Sequence, residues 1–308
     1  MKNTLLYLIA LLAFSFTSPA QEYKRSYLDS TFASTEEGKH TYFREIAKDS
    51  MKNWYRLKTF YKSGKIREDV RCSTAEGGFL DGPRLEYWEN GNLKEKAVFV
   101  DRREMGTKQT WYENGKPQCV GRWEDSSENG SRHDFLIVEY WDENGRQTIA
   151  NSKGRYIKTD KTLHEEGEID KGVRVGKWTG RHLRYGLSFE EQYEKGALVS
   201  GKSTDASNNK YDYSKIDEQP KFQNGASAIS QYILANLKRP KGPAQSGRMM
   251  VMFKIAASGK IKDVRIKRSV EKNIDEEAVR VLSKMPDWEP GRHRGMPIEK
   301  AMMIPIQI

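Results

Sequence analysis

The chain has 308 residues, 36% of them hydrophobic and 31% charged, with a formal net charge of +10. That length accommodates two domains. Two cysteines and five histidines without metal-ligand spacing make no metal centre, so neither a metal nor any other cofactor is expected. The positive charge is concentrated late. From Asp217 onward, 10 Lys and 7 Arg face 4 Asp and 6 Glu, a balance of +7. A basic surface can mean nucleic acid, but a solvated charged face is the simpler reading and no nucleic-acid partner is expected.

Residues 1–20 read as a secretory signal peptide. A lysine at position 2 precedes an apolar run from Thr4 to Phe16 and a small-residue site at Ser18-Pro19-Ala20. The run is shorter than the roughly 20 residues a spanning helix needs. The segment therefore marks the chain for export, released if it is cleaved and tethered to the membrane if it is retained.

After weak opening-strand signals between Tyr27 and Tyr61, internal repeats dominate. Phe60-Tyr61-Lys62-Ser63-Gly64, Tyr87-Trp88-Glu89-Asn90-Gly91, Trp111-Tyr112-Glu113-Asn114-Gly115 and Tyr140-Trp141-Asp142-Glu143-Asn144-Gly145 place glycines 27, 24 and 30 residues apart. Asn-Gly between alternating apolar runs is a strong hairpin signal. Gly176-Lys177-Trp178 and Tyr193-Glu194-Lys195-Gly196 are degraded copies. The pattern resembles MORN repeats as found in bacterial antitoxin-like proteins. That resemblance implies an array of antiparallel hairpins over residues 21–201, with the large aromatics as the stacking residues. Cys72 falls at a packing position and Cys119 two repeats later, which argues against a disulfide.

His164-Glu165-Glu166 is the only acid–base cluster of note, and it lies in a charged stretch, so no catalytic residue is assigned. Residues 202–216, rich in Ser, Asp and Asn, read as a linker.

The remainder, residues 217–308, reads as an α+β module. Ile229, Tyr232, Ile233 and Leu237 share a helix face, and Pro240 and Gly242 end that helix. Val251, Phe253 and Ile255 alternate as a strand, Ser258-Gly259 is a turn, and Ile261 to Ser269 returns. A second helix starts at Asn273 as N-cap and carries Ile274, Ala278, Val281, Leu282 and Met285 on one stripe. A last strand holds Ile298, Met302, Ile304, Ile306 and Ile308 on one face, with Pro305 favouring an edge position.

Order and spacing across this module resemble the TonB C-terminal domain, in the form common in Bacteroidetes. The residues that carry the resemblance include Pro220, Phe222, Gly225, Gly259, Ile274-Asp275-Glu276-Glu277-Ala278, Met285-Pro286-Asp287-Trp288-Glu289-Pro290-Gly291 and Ile304-Pro305-Ile306. The resemblance implies that the last strand pairs with the TonB box, an extended peptide of an outer-membrane TonB-dependent transporter. Carried over, the partner-binding residues are Glu299, Lys300, Ala301, Met302, Met303 and Ile304, joined by Asn236, Lys238 and Arg239 before the conserved proline. A proline at Met302 is expected to remove a backbone donor from that edge. The resemblance implies a periplasmic location if residues 1–20 are cleaved; if the N-terminus is retained, it implies an inner-membrane anchor with the family's ExbB–ExbD motor as a partner.

The expected fold is therefore an all-β, MORN-like N-terminal repeat array and an α+β, TonB-like C-terminal domain with a three-stranded antiparallel sheet and two helices. The expected function is peptide binding in support of energy-dependent transport. The alternative is an envelope scaffold or a homodimer formed through the C-terminal domain.

Overall fold

The structure is a computed structural model and describes residues 23–49, 54–125, 133–223, 225–238 and 247–307. The proposed signal peptide and Arg239 lie outside these residues. The chain divides into two compact units, one ending at Gln147 and one running from Thr148 to Ile308.

The first unit is an antiparallel meander. Its strands are β1 (Tyr23–Leu28), β2 (Ser34–Thr35), β3 (Tyr42–Lys48), β4 (Tyr55–Tyr61), β5 (Ile66–Cys72), β6 (Leu80–Tyr87), β7 (Leu93–Val100), β8 (Arg103–Trp111), β9 (Pro117–Asp125) and β10 (His133–Trp141). β1 pairs with both β2 and β3, and from β3 to β10 each strand pairs with the next.

The repeat motif forms one recurring turn. The residue after the first aromatic donates its N–H to the carbonyl four residues on, as Trp88 does to Asn92, Tyr112 to Lys116 and Asp142 to Arg146. The glycine then donates back to that same residue. Aligned by this turn, the fourth repeat is Trp141-Asp142-Glu143-Asn144-Gly145, so Asp142 occupies the place expected for Trp141.

That shift has a physical consequence. In the first three repeats the second aromatic reaches the next turn. Tyr61 Oη donates to the Tyr87 carbonyl at 2.8 Å, Trp88 Nε1 to that of Trp111 at 3.1 Å, and Tyr112 Oη to that of Trp141 at 2.7 Å. Asn90 adds a bond to Glu113 and Asn114 one to Glu143. Asp142 instead accepts from the N–H groups of Asn144 and Arg146 within its own turn, and holds its carboxyl below the usual range chiefly through those bonds.

The expectation that aromatics stack the hairpins holds at the turns. Between them the sheet face differs. It starts apolar with Ile46, Leu57, Val70 and Cys72. It continues as a half-buried chain of charges: Glu68 to Arg84 at 2.8 Å, Arg84 to Glu95 at 2.8 Å, and Glu95 to Lys108 at 2.9 Å. Long arginine and lysine stems cover apolar surface while their ends remain paired.

The second unit takes up β11 (Gln147–Ala150) from Thr148 and continues through β12 (Lys153–Thr159), β13 (Leu163–Asp170), β14 (Val173–His182), β15 (Leu187–Glu194), β16 (Ala197–Thr204) and β17 (Lys210–Tyr213), each pairing antiparallel with the next. Trp178 is its central side chain, in contact with the Tyr156 and Tyr193 rings and with the Arg174 guanidinium 4.0 Å above it. Residues 202–216, expected as a linker, are largely ordered sheet. They hold the end of β16 and all of β17, and Tyr213 is buried. The polar composition reflects the exposed face of those strands and the Asp205 turn, whose carboxylate accepts from the N–H groups of Ser207 and Asn209.

The α+β module follows: β18 (Asp217–Glu218), α1 (Ala226–Asn236), β19 (Arg248–Ile255), β20 (Ile261–Arg268), α2 (Lys272–Ser283), β21 (Arg292–His293), β22 (Met296–Pro297) and β23 (Lys300–Gln307). β19 lies between β20 and β23 in an antiparallel sheet, as expected from the sequence. Its Met249, Val251, Phe253 and Ile255 are fully buried against Ile274, Ala278, Val281 and Leu282 of α2. Helix α2 begins two residues earlier than the sequence implied, with Glu271 at its N-cap. The small sheet β18–β21–β22 was not anticipated, because strands of two residues carry no periodicity.

Gly91 has φ +97° and nothing within 4 Å of a Cβ, so Gly91→Ala is expected to cost about 1–2 kcal/mol from backbone strain alone; chemical denaturation measures it. Cys72 and Cys119 are free thiols. Burial pushes the Cys119 thiol up to about 12 and raises that of Cys72, so thiolate is scarce and reaction with a disulfide reagent at pH 8 is expected to be slow when native and complete for both after unfolding.

Candidate peptide-binding edge

The two outer strands of the β20–β19–β23 sheet are built differently. β20 carries Lys262, Asp263, Arg265, Lys267 and Arg268 in eight residues. Its pairing with β19 is interrupted by two register shifts, and Asp263 has φ +54°. Charges and bulges are how sheet edges resist further pairing. β23 reads Lys-Ala-Met-Met-Ile-Pro-Ile-Gln, with no charge after Lys300. Its register against β19 runs unbroken from Lys300↔Ile255 to Gln307↔Arg248.

Pro305 sets which backbone groups are open. It lies opposite Met250 inside this register. A proline fits an unbroken ladder only where its nitrogen points away from the neighbouring strand. Successive residues of an antiparallel strand alternate between facing the neighbour and facing outward. Ala301, Met303 and Gln307 therefore present N–H and C=O outward, with the carbonyl of Pro305 between them. Met302 and Ile304 belong to the other set: they bond toward β19, and their side chains pack on the core. The expectation that a proline at Met302 would strip the edge is corrected on this ground; Met303 is the position that does so. Gln307 lies beyond the predicted stretch, which ended at Ile304.

Charged side chains fix the start of the strand. Glu299 pairs with Lys254 at 3.0 Å and also with Lys262, and Lys254 reaches Asp263 at 3.1 Å. The lysines hold the Glu299 carboxyl below its usual range, Lys262 most strongly. Lys300 Nζ lies 3.4 Å from Asp217.

The other predicted contacts are elsewhere. The Lys238 N–H donates to Glu277 Oε1 at 2.9 Å, and Arg280 donates to the Asn236 carbonyl at 2.9 Å. The end of α1 is thus tied to α2, and no hydrogen bond among the described residues joins Asn236 or Lys238 to β23. His164, Glu165 and Glu166 are divided between sheet faces. Glu165 is buried against Arg174 at 2.7 Å, while Glu166 pairs with Arg155 and His164 with Thr159. Among the described residues no group of His, Cys, Asp and Glu could hold a metal ion, and no helix is long and apolar enough to cross a membrane.

The comparisons with known proteins agree with this architecture. Residues 241–307 match the family described as Gram-negative bacterial TonB protein C-terminal. The TonB-type match covers α2, the whole β20–β19–β23 sheet and the β21–β22 turn. Residues 80–101, which span β6, the Asn-Gly turn and β7, match the MORN repeat variant. No curated protein matches the chain.

The Glu277 tie makes a pH prediction. Arg280, and then the Lys238 N–H, lower its carboxyl from 4.5 to about 2. A depressed carboxylate stabilises the fold above its unfolded value and ceases to do so as pH falls through its folded value. The tie should therefore be complete above about pH 4.5 and lost toward pH 2. An NMR titration of the Lys238 amide is expected to report a midpoint near 2, and a midpoint near 4.5 would contradict the contact.

Proposed function

We propose that the TonB-type module binds an extended peptide of an outer-membrane TonB-dependent transporter by adding it as a strand to β23, in the cell envelope. The observation that carries this reading is the asymmetry of the sheet. One edge is bulged and charged, whereas β23 is regular, uncharged along Ala301–Gln307 and open in its backbone groups. Backbone pairing of that kind supplies affinity, and alternate side chains supply selectivity. Exposed Met303 offers a pliable apolar contact to whatever lies beside it. The role is binding, without a catalytic step. Coupling to an ExbB–ExbD motor would depend on residues 1–20, which lie outside the described residues.

Two proline substitutions separate binding from folding. Met303→Pro removes one outward donor and is expected to weaken a synthetic TonB-box peptide about five- to tenfold, the worth of roughly one hydrogen bond. Met302→Pro breaks the ladder with β19 and deletes a core side chain, which is expected to destabilise the module by roughly 2–5 kcal/mol. Fluorescence anisotropy and thermal unfolding measure the two effects. Unaltered peptide affinity in a folded Met303→Pro protein would count against strand addition at this edge.

A further inference from the structure

The turn between β21 and β22 is buried, where most turns are solvated. Arg294 and Gly295 both have positive φ, 48° and 78°, the two-residue turn that suits twisted antiparallel strands. The Arg294 side chain is 5% exposed and its Nε lies 2.8 Å from Oε1 of Glu191 in β15, whose side chain is 0% exposed. Tyr213 of β17 donates to the same oxygen at 2.8 Å, and Tyr193 donates to Oε2 at 2.9 Å. Burial pushes both phenols up, Tyr193 to about 12, so both remain donors. The guanidinium carbon lies 3.7 Å from the centroid of the Phe189 ring.

The backbone is gripped as well. The Arg294 N–H donates to the Ile216 carbonyl, and Ser203 Oγ of β16 donates to the Arg294 carbonyl, both at 2.6 Å. A Cβ on Gly295 would lie 2.8 Å from Cβ of Tyr211. Every one of these partners except Ile216 belongs to the last strands of the repeat array. The turn is tied to the open edge in the other direction. His293 bonds Asp217 at 3.1 Å, Asp217 meets Lys300 at the head of β23, and the Ile298 N–H donates to the Gly291 carbonyl.

We infer that the Arg294–Gly295 turn is a plug seated in the end of the repeat array, and that it couples strands β15–β17 to β23, so that the array positions the peptide-binding edge. The coupling stands on the contacts alone; its use in peptide recognition rests on the reading of β23 given above. A buried charge deprived of its partner is strongly destabilising, so disturbance on either side of the plug is felt on the other.

Amide hydrogen exchange on the full chain without peptide tests this, with Arg294→Met and Tyr213→Phe beside the wild type. Arg294→Met is expected to speed exchange about tenfold or more in both 187–204 and 300–307. Tyr213→Phe, which loses a single hydroxyl and keeps its ring, is expected to give the same pattern about threefold. Loosening of 187–204 by Tyr213→Phe with 300–307 at its wild-type rate would overturn the coupling, even if Arg294→Met unfolded the whole unit. Peptide affinity does not enter this measurement, so failure of the coupling and failure of strand addition are read separately.

Discussion

The outermost strand of a β-sheet carries unpaired N–H and C=O groups that must be satisfied by water, by cover or by another strand. The C-terminal sheet meets this constraint in two ways. β20 uses charge and irregular register, whereas β23 keeps an unbroken register and carries no charge after Lys300. Because Pro305 must turn its nitrogen away from β19, the open groups fall on Ala301, Met303 and Gln307, and the apolar side chains of the alternate residues remain in the core. One residue thus decides both how the strand is held and what it offers.

The array solves a different problem. A hairpin this small cannot bury a core by itself, so neighbours must supply the contacts. Here they do so through polar as well as apolar groups. Each turn lends an aromatic donor to a carbonyl of the next, from Tyr61 through Tyr112, and the face between carries linked ion pairs from Glu68 to Lys108. Replacement of the aromatic by Asp142 ends the ladder, because a short carboxylate is consumed by its own turn.

Where the array meets the TonB-type module, a buried carboxylate accepts from one guanidinium and two phenols. Full satisfaction is what makes a buried charge tolerable. It also makes the junction specific, since Gly295 leaves no room for a side chain against Tyr211. The stretch that composition marks as a tether is instead the socket for this turn.

Much of the module was legible in the sequence. The alternation of Val251, Phe253 and Ile255 and the stripe from Ile274 to Leu282 are local periodicities, and periodicity reports the buried face of an element directly. The hairpin turns were likewise legible, because a left-handed turn position selects glycine or asparagine whatever surrounds it. The edge strand was placed by Pro305, but which of its residues face outward needed the register with β19. Glu191 and Arg294 lie 103 positions apart and carry no pattern that links them. Nothing in either neighbourhood marks the pair as buried, since charge is ordinarily a surface signal. Elements and turns were determined by the sequence within a few residues of themselves; the open groups of β23 and the plug in the array were decided by tertiary structure, because strand pairing and burial join residues that local chemistry cannot connect.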